Sequence, residues 1–246
     1  MLTPATSPGR MLQNMRSALS RGLTEVVGCR PHGHILSIAG GGPSLADTKD
    51  QLTGVIAAVN GSLGFLLDRG IVPNVCGILD PGAHMPDVIT ADRRVRYYVA
   101  SICDPAVFDK LKDCEVRLFH SSSVCGALGL LELRGGPWIA QAGRVTMGLQ
   151  WGPLGYVLGF RTLHFHGLDS SFRDGATHAY ADANPNRRNR PIQVEGRWTA
   201  INFLEQVDDF FTMLESFRGL DPVTIEMFGD GLLQDRWKAY QRKAAA

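Results

Sequence analysis

The run Gly40-Gly41-Gly42-Pro43-Ser44 brings together residue types that bind anions through the main chain. Glycines put no side chain between backbone N–H groups and a guest. Pro43 suits a first helical turn, where its missing N–H would have had no partner, and Ser44 adds a hydroxyl. Between a strand and a helix, such a run forms a partly positive seat for a phosphate or carboxylate. The plainer alternative is a tight turn.

Other residues add chemistry. Asp80 is a candidate ligand for magnesium, which needs only one carboxylate beside water and substrate phosphates, or a candidate base for an acceptor hydroxyl. Asn60 could hydrogen-bond a ribose or base, or cap a helix. His164 and His166 share one strand face. With Asp169 and His178 they could form a metal or acid/base cluster, although the spacing matches no zinc pattern; otherwise one histidine packs in the sheet and the other bonds to a loop. Asp169 is also a candidate beside the nucleotide. His178, next to Tyr180, is a candidate general acid on a lid. Ser122, Ser170, Arg187, Arg188 and Arg190 are assigned to a substrate or acceptor loop, the arginines as bidentate clamps for diphosphate or a carboxylated sugar. A solvated arginine loop is the competing reading.

These residues sit at the ends of short apolar runs. Strands are expected at Ile35–Ala39, Val55–Val59, Val75–Leu79, Arg96–Ala100, Glu115–Phe119, Thr162–His166 and Val223–Met227. The first six end at the glycine turn, Asn60, Asp80, Ser101, His120 and Gly167-Leu168-Asp169. Helices are expected at Ser62–Arg69, at about 105–111, at Arg144–Leu158 and at Thr199–Phe217, with another closing the chain. Near-continuous apolar strands alternating with helices imply a doubly wound α/β sheet, mostly parallel, with helices on both faces and ligands at the carboxyl ends of the strands. Residues 121–142 read as a loop-rich excursion, and Phe172–Arg197 as a long polar loop of the kind that is functional or disordered.

The sequence has 246 residues, 44% of them hydrophobic, and a formal net charge of +1. That gives core enough for one domain, expected over 31–240, after an N-terminal extension (1–30) with a short amphipathic helix and before a frayed tail (241–246). The balanced charge argues against a nucleic-acid partner. No apolar run reaches the ~18 residues of a membrane span. The five cysteines form no Cys-x-x-Cys pair and read as core residues in a reducing, cytoplasmic setting. A homo-oligomer is left open.

Four pieces carry a resemblance: Gly40-Gly41-Gly42-Pro43-Ser44-Leu45, Ala58-Val59-Asn60, Gly70-Ile71-Val72-Pro73-Asn74 leading to Leu79-Asp80, and Gly167-Leu168-Asp169-Ser170-Ser171. Together they resemble the family of MptE-like 6-hydroxymethylpterin diphosphokinases and motility accessory factor (Maf) flagellin glycosyltransferases. The match covers roughly residues 35–172, and the remainder to Gly231 is similar to stand-alone bacterial and phage members. The resemblance implies a Rossmann-like sheet related to bacterial sialyltransferases and a nucleotide-bearing co-substrate. In the Maf branch that is a CMP-activated sugar acid; in the pterin branch it is ATP with magnesium. The pterin enzymes tend to carry an Asp-x-Asp-Gly run where this chain has Leu79-Asp80-Pro81-Gly82, with one carboxylate. The expectation is therefore a nucleotide-dependent transferase, glycosyl transfer favoured, acting on a small-molecule or glycan acceptor. Diphosphokinase activity and a non-catalytic nucleotide-binding module are the alternatives.

Overall fold

A computed structural model describes residues 6–122, 124–181 and 190–245. In chain order the elements are α1 (Pro8–Leu19), β1 (Thr24–Glu25), β2 (His32–Ala39), α2 (Leu45–Thr48), β3 (Val55–Val59), α3 (Ser62–Leu67), β4 (Val75–Ile78), α4 (Met85–Val88), β5 (Arg96–Ala100), α5 (Pro105–Lys110) and β6 (Val116–Ser121). There follow α6 (Ala127–Arg134), β7 (Ala140–Gln141), α7 (Met147–Val157), β8 (Phe160–His166), β9 (Ile192–Val194), β10 (Arg197–Thr199), α8 (Ile201–Ser216), β11 (Thr224–Met227) and α9 (Leu232–Ala244).

The main sheet runs β1–β6–β5–β4–β3–β2–β8–β11, with β7 extending the end of β6, and its pairings are parallel. All four residues of β4 are buried, as are Leu36–Ala39 of β2, as expected of strands covered on both faces; the polar Ser37 is satisfied there by donating to the Thr53 carbonyl at 2.7 Å. From β2 to β6 each new strand is added on the same side. The chain then crosses back, so that β8 pairs with the other edge of β2, from Ile35 against Thr162 to Ala39 against His166. The strand order reverses between β2 and β8, the place where doubly wound sheets open a crevice.

The helix α7 lies flat on this sheet. Eight of its eleven residues are buried, and Trp151 donates from its indole Nε1 to the Ala58 carbonyl at 3.2 Å. Gly77 makes the approach possible: a Cβ there would lie 2.8 Å from Trp151 Nε1. This packing aims the N-terminus of α7 at the carboxyl ends of the strands. Near the amino end of the chain, α1 lies against α5, with Asn14 Nδ2 donating to the Ile102 carbonyl at 3.0 Å and Arg21 paired with Asp109.

Several elements lie outside the sequence expectations. The excursion 121–142 contains α6 and the short strand β7. The polar stretch after Phe172 ends in an antiparallel β9–β10 hairpin. The helix α9 continues through Lys243 and Ala244, residues assigned to the tail. Cys76 and Cys103 are buried, but Cys29 and Cys125 are exposed, which corrects the reading of the cysteines as core residues. No helix among the described residues is long and apolar enough to cross a membrane.

Candidate functional site

A cleft of about 490 Å³ opens at the β2/β8 reversal. Its walls come from the glycine turn after β2, Asn60 after β3, Asp80 and Pro81 after β4, residues 167–171 after β8, the segment 143–148 leading into α7, and Met11 of α1. Thr177, His178 and Tyr180 close one side.

The glycine turn lines this cleft, but its donors are mostly committed elsewhere. Gly40 N–H bonds to the His166 carbonyl at 2.8 Å and Gly42 N–H to the Gly167 carbonyl at 2.7 Å. Ser44 N–H bonds to Asp169 Oδ2 at 2.7 Å, and the Ser44 hydroxyl donates to Asp169 Oδ1. Pro43 has no N–H, so only the Gly41 amide lacks an acceptor among the described residues. This corrects the expectation that Gly40, Gly42, Pro43 and Ser44 seat a ligand phosphate: the anion at this junction is the protein's own Asp169. The cause is spatial, since β8 delivers a carboxylate to the spot a phosphate would take. Gly41 is small for packing, because a Cβ on it would lie 2.7 Å from the Tyr180 hydroxyl and 2.8 Å from His178 Cδ2.

Asp169 accordingly changes role. It is 2% exposed. Burial holds its carboxyl above the ordinary carboxylate range, against the downward pull of the two Ser44 hydrogen bonds. It welds β8 to the turn after β2 instead of offering a free oxygen to substrate. Gly231 packs directly over it, a Cβ there falling 2.7 Å from Asp169 Cα.

Asp80 is the carboxylate that faces the cleft with capacity to spare. Gly82 N–H donates to its Oδ1 at 2.8 Å, fixing its orientation in a tight turn, and His84 Nε2 stands 3.8 Å from Oδ2. Asn60 adopts a left-handed backbone, φ 41°, which asparagine tolerates better than most residues. Its side chain caps no helix; Gly61 holds the cap position of α3. Its Oδ1 is buried without a partner among the described residues. Ser170 is also left-handed, φ 49°, and its hydroxyl donates to Gln206 Oε1 at 3.0 Å. Strain of this kind persists where surrounding contacts hold it, often in functional clefts.

Other expected residues are elsewhere. Ser122 lies outside the cleft and bonds to the Gln141 carbonyl through both N–H and hydroxyl, because β7 pairs there; its neighbour Ser121 lines the cleft instead. Arg190 is exposed and is no part of the lining. Arg187 and Arg188 lie outside the described residues. Ser101 and His120 turn inward, the imidazole bridging the Ser101 hydroxyl and Glu25 at 3.0 Å each. His166 stacks on Phe228, ring centres 4.3 Å apart, and burial, helped by His164, pushes its pKa down to about 4. Among the described residues no group of three His, Cys, Asp or Glu side chains is placed to hold a metal.

Sequence reasoning passed over His84, Gln206, Asp209 and Arg144. Arg144 lines the cleft with its side chain 4% exposed and paired to Asp209 of α8, Nη1 to Oδ1 3.1 Å. The available signal was Thr146, a helix cap standing just after an arginine and before an apolar run; the cap is realised, with Thr146 Oγ1 accepting from Leu149 N–H.

Known proteins place this architecture. The structure of Maf glycosyltransferase from Magnetospirillum magneticum AMB-1 superposes with a TM-score of 0.62 at 17% identity, over 96% of this chain and 42% of that one. This chain thus spans less than half the length of that protein, and the likeness is one of fold. Among curated proteins no match is found. A family model described as 6-hydroxymethylpterin diphosphokinase MptE-like matches residues 9–175, well over half of the chain. The chain, with its parallel sheet, its reversal between β2 and β8 and the cleft that opens there, belongs to the MptE-like family.

Proposed function

We propose that this protein is a group transferase using a nucleotide-activated donor, and that it transfers a glycosyl group from a CMP-type sugar acid to a small-molecule or glycan acceptor. The observation that carries this reading is Asp80: a carboxylate oriented by Gly82 N–H, with Oδ2 approached by His84 at 3.8 Å, at the rim of a cleft large enough for a nucleotide. Asp80 takes the proton of the acceptor hydroxyl as its oxygen attacks the anomeric carbon. The bond to CMP breaks, and its electron pair leaves on the phosphate oxygen. His178 stands at the other side of the cleft as the candidate proton donor to the leaving group. Asp169 and Ser44 hold the floor rigid. Magnesium would be held by the donor's phosphate and water with Asp80 as its single protein carboxylate, supplying charge neutralisation; no step above depends on it. The fold shared with a Maf glycosyltransferase supports the sugar reaction.

The family description favours a second reading, pyrophosphoryl transfer from ATP to a pterin-like alcohol. Calorimetry with CMP, CTP and ATP, each with and without magnesium, separates the two. Glycosyl transfer expects CMP and CTP to bind with or without the metal and ATP more weakly. Magnesium-dependent ATP binding with no CMP binding would favour the diphosphokinase, and no nucleotide binding would remove both.

A further inference from the structure

The strongest unassigned chemistry in the molecule is where the chain enters α7. An α-helix leaves its first N–H groups without intrahelical acceptors. In α7, an eleven-residue helix, the Thr146 side chain takes one of them, Oγ1 accepting from Leu149 N–H at 3.4 Å, and the first regular helical bond runs from Gln150 N–H to the Thr146 carbonyl at 2.9 Å. The amides of Met147 and Gly148 have no acceptor among the described residues, and both residues line the cleft.

Arg144 stands three residues away on the same wall. Among the described residues its guanidinium is bound through Nη1, to Asp209, and Nε is buried with no partner. A buried N–H without an acceptor is a net cost to folding, which a single ion pair does not remove. The local framework is rigid around this vacant edge. Asp209 Oδ2 accepts from Val145 N–H at 2.8 Å, and Gln150 Oε1 accepts from Arg144 N–H at 3.0 Å. Gln150 is itself tied to Gln141, Nε2 to Oε1 3.0 Å. A fixed guanidinium edge beside free amides at the positive end of a helix matches a planar or tetrahedral oxyanion.

We infer that Arg144 and the Met147 and Gly148 amides form the oxyanion seat of the cleft, receiving a phosphate or carboxylate group of the substrate. The inference deepens the transferase reading by saying where the donor's charge sits, and it can fail separately. Arg144 is a binding and specificity residue here, with Asp209 and Gln150 positioning it.

The test is calorimetry on the full chain and its Arg144→Met and Arg144→Lys variants with cytidine, CMP, inorganic pyrophosphate and N-acetylneuraminate. Arg144→Met is expected to weaken CMP and pyrophosphate by at least about tenfold and to leave cytidine within about twofold, because only the charge-assisted bonds are lost. Arg144→Lys keeps the charge for Asp209 but lacks the planar fork, and is expected to weaken CMP by about fivefold. If the seat holds the sugar carboxylate, the same loss appears with N-acetylneuraminate and CMP is unchanged, which also supports it. Unchanged affinities for all three anions in both variants overturn the seat, as does a parallel loss of cytidine. Should Arg144→Met fail to fold by circular dichroism, Arg144→Lys decides alone. Arg144-dependent pyrophosphate binding without nucleotide binding upholds the seat and removes the nucleotide reading. CMP binding with all three anions independent of Arg144 does the reverse, and a wild-type chain that binds none of the probes overturns both.

Discussion

Two junctions of the cleft have the ingredients of an anion site, and they use them in opposite ways. At the turn after β2, the Gly40, Gly42 and Ser44 amides already meet internal acceptors, among them the carboxylate of Asp169. At the entry to α7, the Met147 and Gly148 amides and the buried Nε of Arg144 meet none among the described residues. The difference follows from what lies opposite each. The first junction faces β8, whose end brings two carbonyls and a carboxylate within bonding distance. The second faces open cleft. A glycine-rich turn therefore says that the backbone comes close to something, and it does not say whether that something is ligand or protein.

The comparison can be broken at its first member by Asp169→Ala. Loss of both Ser44 acceptors in a buried site is expected to cost about 3 kcal/mol in urea denaturation. A cost below about 1 kcal/mol would mean that the turn does not depend on its built-in anion. Next comes the chemistry of the open side. Asp80→Asn is expected to lower turnover by at least about 100-fold with whichever donor calorimetry selects, while its melting temperature stays that of the wild type. Retained turnover would remove Asp80 as the base.

A smaller effect tests how tightly the β8 end is sealed. The His166 pKa is held down to about 4, against an ordinary 6.5, so the folded state carries fewer protons than the unfolded chain between these values. Stability present at pH 7 is therefore lost as pH falls toward 4. Between pH 7 and pH 5 the wild type is expected to lose about 2 kcal/mol more than His166→Phe, read from denaturation curves at the two pH values. Equal losses would show that this end is open to water. The smallest effect is that of Ser122→Ala, whose hydroxyl is bonded to Gln141 outside the cleft. It is expected to leave nucleotide affinity within about twofold by calorimetry, since no contact to a ligand is removed.

Much of the scaffold was legible because its physics is local. Apolar runs such as Val75-Cys76-Gly77-Ile78 are buried on both faces, and they are long enough to locate a strand without knowing its neighbours. Asn60 and Asp80 were read at strand ends and Ser170 in a substrate loop, and all three line the cleft. The β9–β10 hairpin and α6 were missed because short polar or glycine-flanked pieces give little periodicity. Arg144 was missed because an arginine near a helix start is ordinary in sequence; its significance comes from burial against Asp209, 65 residues away.

By itself the sequence determined the kind of sheet and the end of it that carries polar groups, since a strand covered on both faces is mostly apolar until it emerges. Only the tertiary structure decided which of those polar groups remain open. An N–H is satisfied by whatever acceptor the fold brings near, and for Ser44 that acceptor comes from 125 residues along the chain.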